Sequence, residues 1–281
     1  MTAAQQSHES HQSYRERPPA GPLADRLACV WVQQVPAGAP PLTHRTVPNG
    51  SVEIHAKLGS AVQVTGPRLA PTVTTVTPGT TIVGVRIRPG LAYPLLGTPA
   101  SELAGRQVDL ADLWGREAER LAEQLAAAET AGEAARRLEA AFAPAAGAEA
   151  DPLVLAAVEL LSPWRAASVA EAAATLGVST RHLRRRSLRE VGYSAKTLHR
   201  VLRFQGFLAL AGSSGTQGRG ASGLARLAAA AGYADQAHLT RESGQLAGLP
   251  PAAFLAERAG ICGPTHDHTT SFQPLLAARA R

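Results

Sequence analysis

Five arginines, Arg181, Arg184, Arg185, Arg186 and Arg189, fall within twelve residues that open on Ser179 and Thr180. A serine just before a helix accepts a hydrogen bond from a first-turn amide, so Ser179 reads as a cap and the arginines as side chains of the helix it starts. The planar guanidinium can donate two parallel hydrogen bonds to guanine and also grips phosphate, which suits such a helix to nucleic acid. With Leu183 facing inward, Ser179, Thr180, Arg181, Arg184 and Arg185 take the N-terminal and outer positions that can reach base edges or phosphates. Arg186 and Arg189 lie further round or later and suit phosphates. The stretch Asp235-Gln236-Ala237-His238-Leu239-Thr240-Arg241 repeats the arrangement: a cap, one inward leucine, and Gln236, His238 and Arg241 outside, glutamine being suited to adenine. The competing interpretation is a solvated basic helix in an ordinary bundle. Arginine density directly after a cap argues against it, and its recurrence argues more strongly.

Each stretch follows an Ala-rich segment that ends in glycine, Gly177 or Gly232. A scaffold helix, a tight turn and a second helix with a free outer face make a helix-turn-helix. Ser168 with Glu171 predicts a capping box for the first scaffold helix, and Gly177 its end. Leu153 to Leu161 reads as a preceding helix, and Ser194 to about Ala211 as a long one carrying Leu198, Val201, Leu202, Leu208 and Leu210. The Gly/Ser-rich stretch from 212 to 223 reads as a flexible connector. Leu224 to Ala231 is the second scaffold helix, Asp235 to Leu246 the second reading helix, and Pro250-Pro251 open a last helix, Ala252 to Arg258.

Upstream, residues 27–108 favour strands. Runs at Val52–Ile54, Ala61–Val64, Thr72–Val76 and Thr81–Ile87 are cut by Pro48-Asn49-Gly50, Gly66-Pro67, Pro78-Gly79 and Pro89-Gly90. Pro99 to Leu103 suits a short helix. Leu113 to Phe142 suits one or two helices broken near Gly132, and these could equally serve a dimer or an intrachain core. Residues 144–152 make the best linker.

The 281 residues can hold about two domains. Aromatics are only 4% of the chain, so its cores must rest on Leu, Val and Ala. No apolar run reaches the roughly 18 residues of a membrane span. Met1 to Pro19 lacks the apolar stretch of a secretory signal, and Cys29 and Cys262, at opposite ends, form no disulfide framework. A cytoplasmic location is expected. Of the net charge of +6, residues 1–150 contribute −1 and residues 151–258 contribute +6. The excess therefore lies with the paired motifs, and a polyanion is the partner that such charge attracts.

Residues from about 153 to 258 resemble the DNA-binding domain of AraC/XylS-type transcription regulators. The resemblance is carried by Ala173, Gly177-Val178-Ser179, Leu183, Val191-Gly192-Tyr193, Arg203-Phe204 and Leu227-Ala228. It continues in Gly232-Tyr233-Ala234-Asp235-Gln236-Ala237-His238-Leu239 and Gly248-Leu249-Pro250. It implies seven helices in two helix-turn-helix subdomains (about 168–190 and 224–246) bridged by the Ser194–Ala211 helix. The two reading helices would then enter successive major grooves about 34 Å apart. Two departures stand out: where the family usually has an aromatic four residues after each inward leucine, this chain has Ser187 and Ser243. An unfilled socket costs about 2–4 kcal/mol, and Gly206 in the bridging helix about 1 kcal/mol relative to Ala.

The N-terminal part resembles the small β-rich domain found on many actinobacterial regulators of this class. It does so through Val47-Pro48-Asn49-Gly50, Gly66-Pro67, Gly84-Val85-Arg86-Ile87-Arg88-Pro89-Gly90, Leu95-Leu96-Gly97 and Leu113-Trp114-Gly115. Arg86 and Arg88, read as alternating outward on a strand, are candidates for an anionic effector, with a solvated strand edge as the plainer alternative.

The expectation is thus an α+β chain. Residues 1–20 are disordered, 21–145 form a β-rich regulatory or dimerisation domain with trailing helices, 146–152 a linker, 153–258 the DNA-binding domain, and 259–281 a flexible tail. Its expected role is a sequence-specific transcription regulator whose partner is double-stranded DNA. RNA polymerase, a small-molecule effector and a second copy of the chain are further candidate partners, with no membrane, metal or cofactor. Cys262, His266 and His268 have metal-donor types but sit in a Gly/Pro/Thr tail, and zinc wants four placed ligands. No nucleophile elbow, phosphate loop or dinucleotide fingerprint is present, so no catalysis is expected. A DNA-repair methyltransferase of the Ada type would need a cysteine cluster near its N-terminus, whereas Cys29 stands alone in an apolar run and reads as a small buried hydrophobe. A regulator with decayed reading helices, acting through protein contacts or non-specific DNA binding, is the other alternative. Ser187→Phe is expected to raise the melting temperature in thermal denaturation; an unchanged or lowered value would mean the socket is already filled.

Overall fold

β-Branched residues at every second position build a sheet with two unlike faces. The computed structural model describes residues 12–165, 167–213, 221–261 and 265–273. Its strands are β1 (Ser13–Arg17), β2 (Leu27–Val35), β3 (Leu42–Thr46), β4 (Val52–Lys57), β5 (Val62–Thr65), β6 (Thr72–Val76), β7 (Thr80–Ile87), β8 (Gln107–Asp109) and β9 (His266–Asp267). Seven of them form one sheet in the order β8-β5-β4-β7-β2-β1-β9, antiparallel except for β1 beside β9, and β3 pairs with β6 as a separate ribbon.

On one face Val30, Ile54, Val64, Val83 and Val85 share a core with Leu121, Leu125, Leu138 and Phe142. Those last residues belong to the helices that follow: α1 (Ala92–Leu96), α2 (Ala100–Leu103), α3 (Ala111–Trp114), α4 (Arg116–Ala126) and α5 (Ala131–Ala140). The break between α4 and α5 falls at 127–130 rather than at Gly132, because Thr130 caps α5 by accepting from the Glu133 amide. The leucines expected to serve either a dimer or a core pack within the chain.

Alternation places Cys29, Trp31, Glu53, His55 and Arg86 on the opposite face. There Arg86 donates from Nε to Glu53 at 2.8 Å and from Nη1 to Glu16 at 3.2 Å. Glu16 also accepts from Tyr14 Oη at 2.9 Å and from the Ser271 amide at 2.8 Å. Burial alone would push the Glu53 carboxyl up, but the Arg86 and Arg68 guanidiniums outweigh it and hold the group at about 2. Arg86 is therefore an internal counter-ion, not an outward side chain. Arg88 is committed as well, donating to the carbonyls of Leu27 at 3.0 Å and Ala24 at 2.8 Å. The expectation that Arg86 points outward is corrected accordingly, while both Arg86 and Arg88 border the cavity between the sheet and the helical half.

Two terminal expectations also change. Ser13–Arg17 is strand β1, paired along its length with β2, so disorder does not extend to residue 20; residues 1–11 lie outside the described residues. Of the tail, His266–Asp267 pairs with β1 and residues 269–273 are helical, so 265–273 is anchored structure. Cys262 lies outside the described residues.

The rest is helical: α6 (Pro152–Leu160), α7 (Val169–Thr175), α8 (Thr180–Val191), α9 (Ala195–Ser213), α10 (Ala221–Ala230), α11 (Gln236–Ala247) and α12 (Pro251–Ile261). The capping box of Ser168 and Glu171 forms at the start of α7. Residues 214–220 of the expected connector are outside the described residues, while 212–213 end α9 and 221–223 begin α10. Gly206 has a steric reason to be glycine, since a Cβ there would lie 2.6 Å from Pro163 Cγ. The core joins Leu183, Leu198, Phe204, Phe207, Leu239 and Phe254.

The two halves are in direct contact. Arg45 makes a two-pronged bond to Glu257 at 2.9 and 3.2 Å, and Gln205 donates to the Pro48 carbonyl at 2.7 Å. Within the expected linker, Asp151 caps α6 and pairs with Arg186. Among the described residues no helix is long and apolar enough to cross a membrane.

Replacing Arg86 with Met leaves two buried carboxylates without their counter-ion. A loss of about 3–5 kcal/mol in urea denaturation is expected; a loss below about 1 kcal/mol would mean that the carboxylates are solvated in the folded state.

Candidate nucleic-acid interface

Ser179 starts α8 by accepting from the His182 amide at 3.1 Å, and Gly192 ends it with φ 77°. Leu183, Ser187 and Val191 are buried, one turn apart, on its inner side. Thr180, Arg181, Arg184 and Arg185 are exposed. Arg181 and Arg184 make no side-chain hydrogen bond or ion pair among the described residues, and Arg185 meets only the His182 ring at 3.4 Å. Arg186 and Arg189 differ from these: Arg186 pairs with Asp151, and the Arg189 guanidinium lies 4.7 Å from the centre of the Tyr93 ring. Both residues expected to hold phosphate thus have partners within the chain, although Arg189 stays exposed.

The second helix has the same construction fifty-six positions on, with Ser179/Asp235, Leu183/Leu239, Ser187/Ser243 and Gly192/Gly248 in correspondence. Asp235 accepts from the His238 amide at 2.6 Å, and Gly248 closes α11 with φ 71°. Arg241 is exposed and makes no side-chain hydrogen bond or ion pair among the described residues. Gln236 and His238 are half-buried, and the His238 ring meets Tyr233 edge-on with centroids 5.2 Å apart.

The two serines are not equivalent. Ser243 donates to the Leu249 carbonyl at 2.7 Å and so fastens the turn after α11. Ser187 is buried and its hydroxyl has no partner among the described residues, so an apolar side chain there would forfeit no hydrogen bond.

Between α9 and α11 a cleft is lined by Lys196, His199, Arg200, Arg203, His238 and Glu242. Positions 196, 199, 200 and 203 recur at i, i+3, i+4 and i+7, which puts four basic residues on one helix face. That spacing was available in the sequence, but the helix reads there only for its leucines. Arg200 is tied down, donating to Glu242 at 2.9 Å and to Gln245. Burial and the neighbouring Arg203 hold His199 at about 4.

A cavity of about 1030 Å³ lies between the halves. The polar face of the sheet lines it, with Leu202, Leu208 and Phe254 opposite. Among the described residues no group of three or more His, Cys, Asp or Glu could hold a metal ion.

A family model described as a domain of unknown function (DUF6597) matches residues 15–109. Among solved structures, an apo ToxT variant from Vibrio cholerae strain SCE256 is similar over 86% of this chain and 99% of its own, at 10% identity and a TM-score of 0.44. ToxT from Vibrio cholerae O395 is similar over 89% of this chain and 98% of its own, at 10% identity and a TM-score of 0.40. No curated protein matches.

His199 gives a test of the cleft. Its folded value of about 4 lies below the ordinary 6.5, so the unfolded chain takes up a proton first and stability falls as pH drops through that window. His199→Gln is expected to flatten the decline in melting temperature between about pH 7 and pH 5. A decline as steep as the wild type's would mean that His199 titrates normally.

Proposed function

We propose that the chain is a sequence-specific, DNA-binding transcription regulator. Helices α7 and α8 form one helix-turn-helix and α10 and α11 the other, joined by α9 within a DNA-binding domain spanning about 153–258. What carries this reading is the repeated construction of α8 and α11. Two twelve-residue helices have the same side-chain cap, the same inward ladder and a left-handed glycine at the end. Each keeps basic or amide side chains on its outer or N-terminal positions.

In this reading Arg181, Arg184 and Arg185 meet one major groove, with Ser179 and Thr180 beside the backbone. Gln236, His238 and Arg241 meet the next groove. Uncommitted guanidiniums suit guanine edges, and the Gln236 amide suits adenine. Lys196, exposed at the start of α9 beside the basic cleft, is a phosphate contact between the two grooves. Arg186 and Arg189 instead hold α8 in place. The β-rich half acts as the regulatory part, with the cavity as its effector site, and the protein works in the cytoplasm with RNA polymerase as its downstream partner. The decayed-regulator alternative rests on Ser187 alone, because the Ser243 hydroxyl is bonded.

The test is binding to a duplex selected by the wild-type protein. Arg184→Ala or Arg185→Ala is expected to weaken it by about 1–3 kcal/mol, roughly ten- to hundredfold. Arg226→Ala, on the scaffold helix α10, should cost much less. Equal losses would remove the assignment of the reading face.

A further inference from the structure

The cleft between α9 and α11 holds two cations that the fold does not neutralise. Lys196 is exposed and makes no side-chain hydrogen bond or ion pair among the described residues. Arg203 makes no ion pair among them either; its guanidinium donates to the His199 ring at 3.0 Å and lies 5.5 Å from the centre of the Tyr233 ring. Arg200 is already compensated, because both Glu242 oxygens accept from its Nε, at 3.0 and 2.9 Å. The acid in the lining is therefore spent. Next to the lining, Tyr233 is buried with its hydroxyl unpartnered among the described residues, and its ring meets both Arg203 and His238.

Unspent donors select the ligand. An ammonium and a guanidinium can only donate, so their complement is an oxyanion. Positions 196 and 203 are two helical turns apart, about 10 Å along the axis, a span that two long side chains can close on one anion. A tetrahedral phosphate offers oxygens in several directions and meets donors arriving from different sides, whereas a carboxylate offers two in one plane. The cleft, about 400 Å³ in volume, has room for such a group and its waters.

His199 lies between the two cations on the same helix face. The charged and titratable groups around it are Lys196, Arg200 and Arg203 from α9 and His238 and Glu242 from α11, with Tyr233 beside Arg203. Three cations against one carboxylate leave the cleft positive, and burial together with Arg203 keeps the ring neutral. An anion seated there cancels the field that opposes protonation. We propose that this cleft seats a phosphate group between Lys196 and Arg203, and that His199 takes up a proton as the phosphate binds. Binding then tightens as pH falls through the value His199 acquires in the complex, and levels off below about 4, where the ring is protonated in either state. The phosphate belongs either to the backbone of a nucleic-acid strand or to a free phosphomonoester. Lys196 already serves as a phosphate contact in the DNA reading, but the site and its proton stand on the cleft alone and do not need α8 and α11 to read bases.

The test titrates the full chain with sodium sulfate, sodium chloride holding the ionic strength constant. Sulfate shares the tetrahedral shape of phosphate and carries no proton of its own near neutral pH. The His199 ring signal, assigned by its loss in His199→Gln, is followed by NMR across pH. Saturating sulfate is expected to raise its midpoint from about 4 to above about 5.5, and to bind about threefold more tightly at about pH 5 than at about pH 7. That gain should vanish in His199→Gln. Lys196→Ala, which removes an exposed side chain with no partner to lose, should weaken sulfate about tenfold and leave the melting temperature unchanged. A midpoint that sulfate does not move, a gain at low pH that survives in His199→Gln, or unchanged binding by Lys196→Ala overturns the site. So does the absence of any preference for sulfate over chloride at about 50 mM, where a site of about 5 mM Kd would fill. Methyl phosphate and dimethyl phosphate then separate the sources: equal affinity assigns a strand backbone, and preference for the monoester assigns a free phosphomonoester. If sulfate moves His199 and no duplex is ever selected, the DNA reading falls and the phosphate site stands; a selected duplex with an unmoved His199 removes the site and leaves the DNA reading.

Discussion

A guanidinium buried between two carboxylates sets the terms for this molecule. Arg86, Glu16 and Glu53 sit on one face of a sheet whose other face is aliphatic. An aliphatic face can be sealed by leucine-bearing helices, and α4 and α5 do so. A charged face cannot be covered that way, because every lone pair and N–H removed from water needs a partner. The chain supplies some of those partners from far away. Ser271, near the C-terminal end of the described residues, bonds Glu16, and β9 pairs beside β1. The space left over is the cavity, whose opposite wall is the helical half. A β-rich half and a helical half in contact across this cavity follow from where that arginine sits.

The same economy fixes α8. Its inner ladder of Leu183, Ser187 and Val191 enters the helical core. Arg186 is held by the Asp151 cap of α6, Arg189 lies over Tyr93 of the β-rich half, and Tyr193 bonds the Arg68 carbonyl. All three anchors lie toward the C-terminal end, so the N-terminal turns project Arg181, Arg184 and Arg185 outward. The proposed reading role needs that division, since base contact demands free donors in a fixed frame. α11 is held differently, through Arg200 of α9 bonding Glu242.

Much of the helical half was legible because helix ends are written locally. Ser168 with Glu171, Ser179, Asp235 and the glycines at 177, 192, 232 and 248 are start and stop signals whose mechanism needs no tertiary knowledge. The strands β4 to β7 were legible from alternation and turn residues. β1 and β9 were not, because five polar residues and a two-residue bridge carry no pattern of their own, and their pairing is long-range. The roles of individual arginines were the least legible. Exposure and partners decide whether a guanidinium is free for a ligand or ties two elements together, and Asp151 and Tyr93 lie too far along the chain for the sequence around 186 or 189 to reveal them. Arg86 was misread for the same reason: alternation shows that it leaves the aliphatic face but not that Glu16 and Glu53 await it.

The most direct test of the central claim is in vitro selection of random duplexes by the full-length protein, with the enriched sequences then measured across a salt series. Two helices of the same construction predict a two-part motif whose elements lie about one helical turn apart, with affinity that falls with salt but keeps its sequence preference. Recovery of no motif, with binding that is only steeply salt-dependent, would contradict the account and leave a basic helical surface without a reading function.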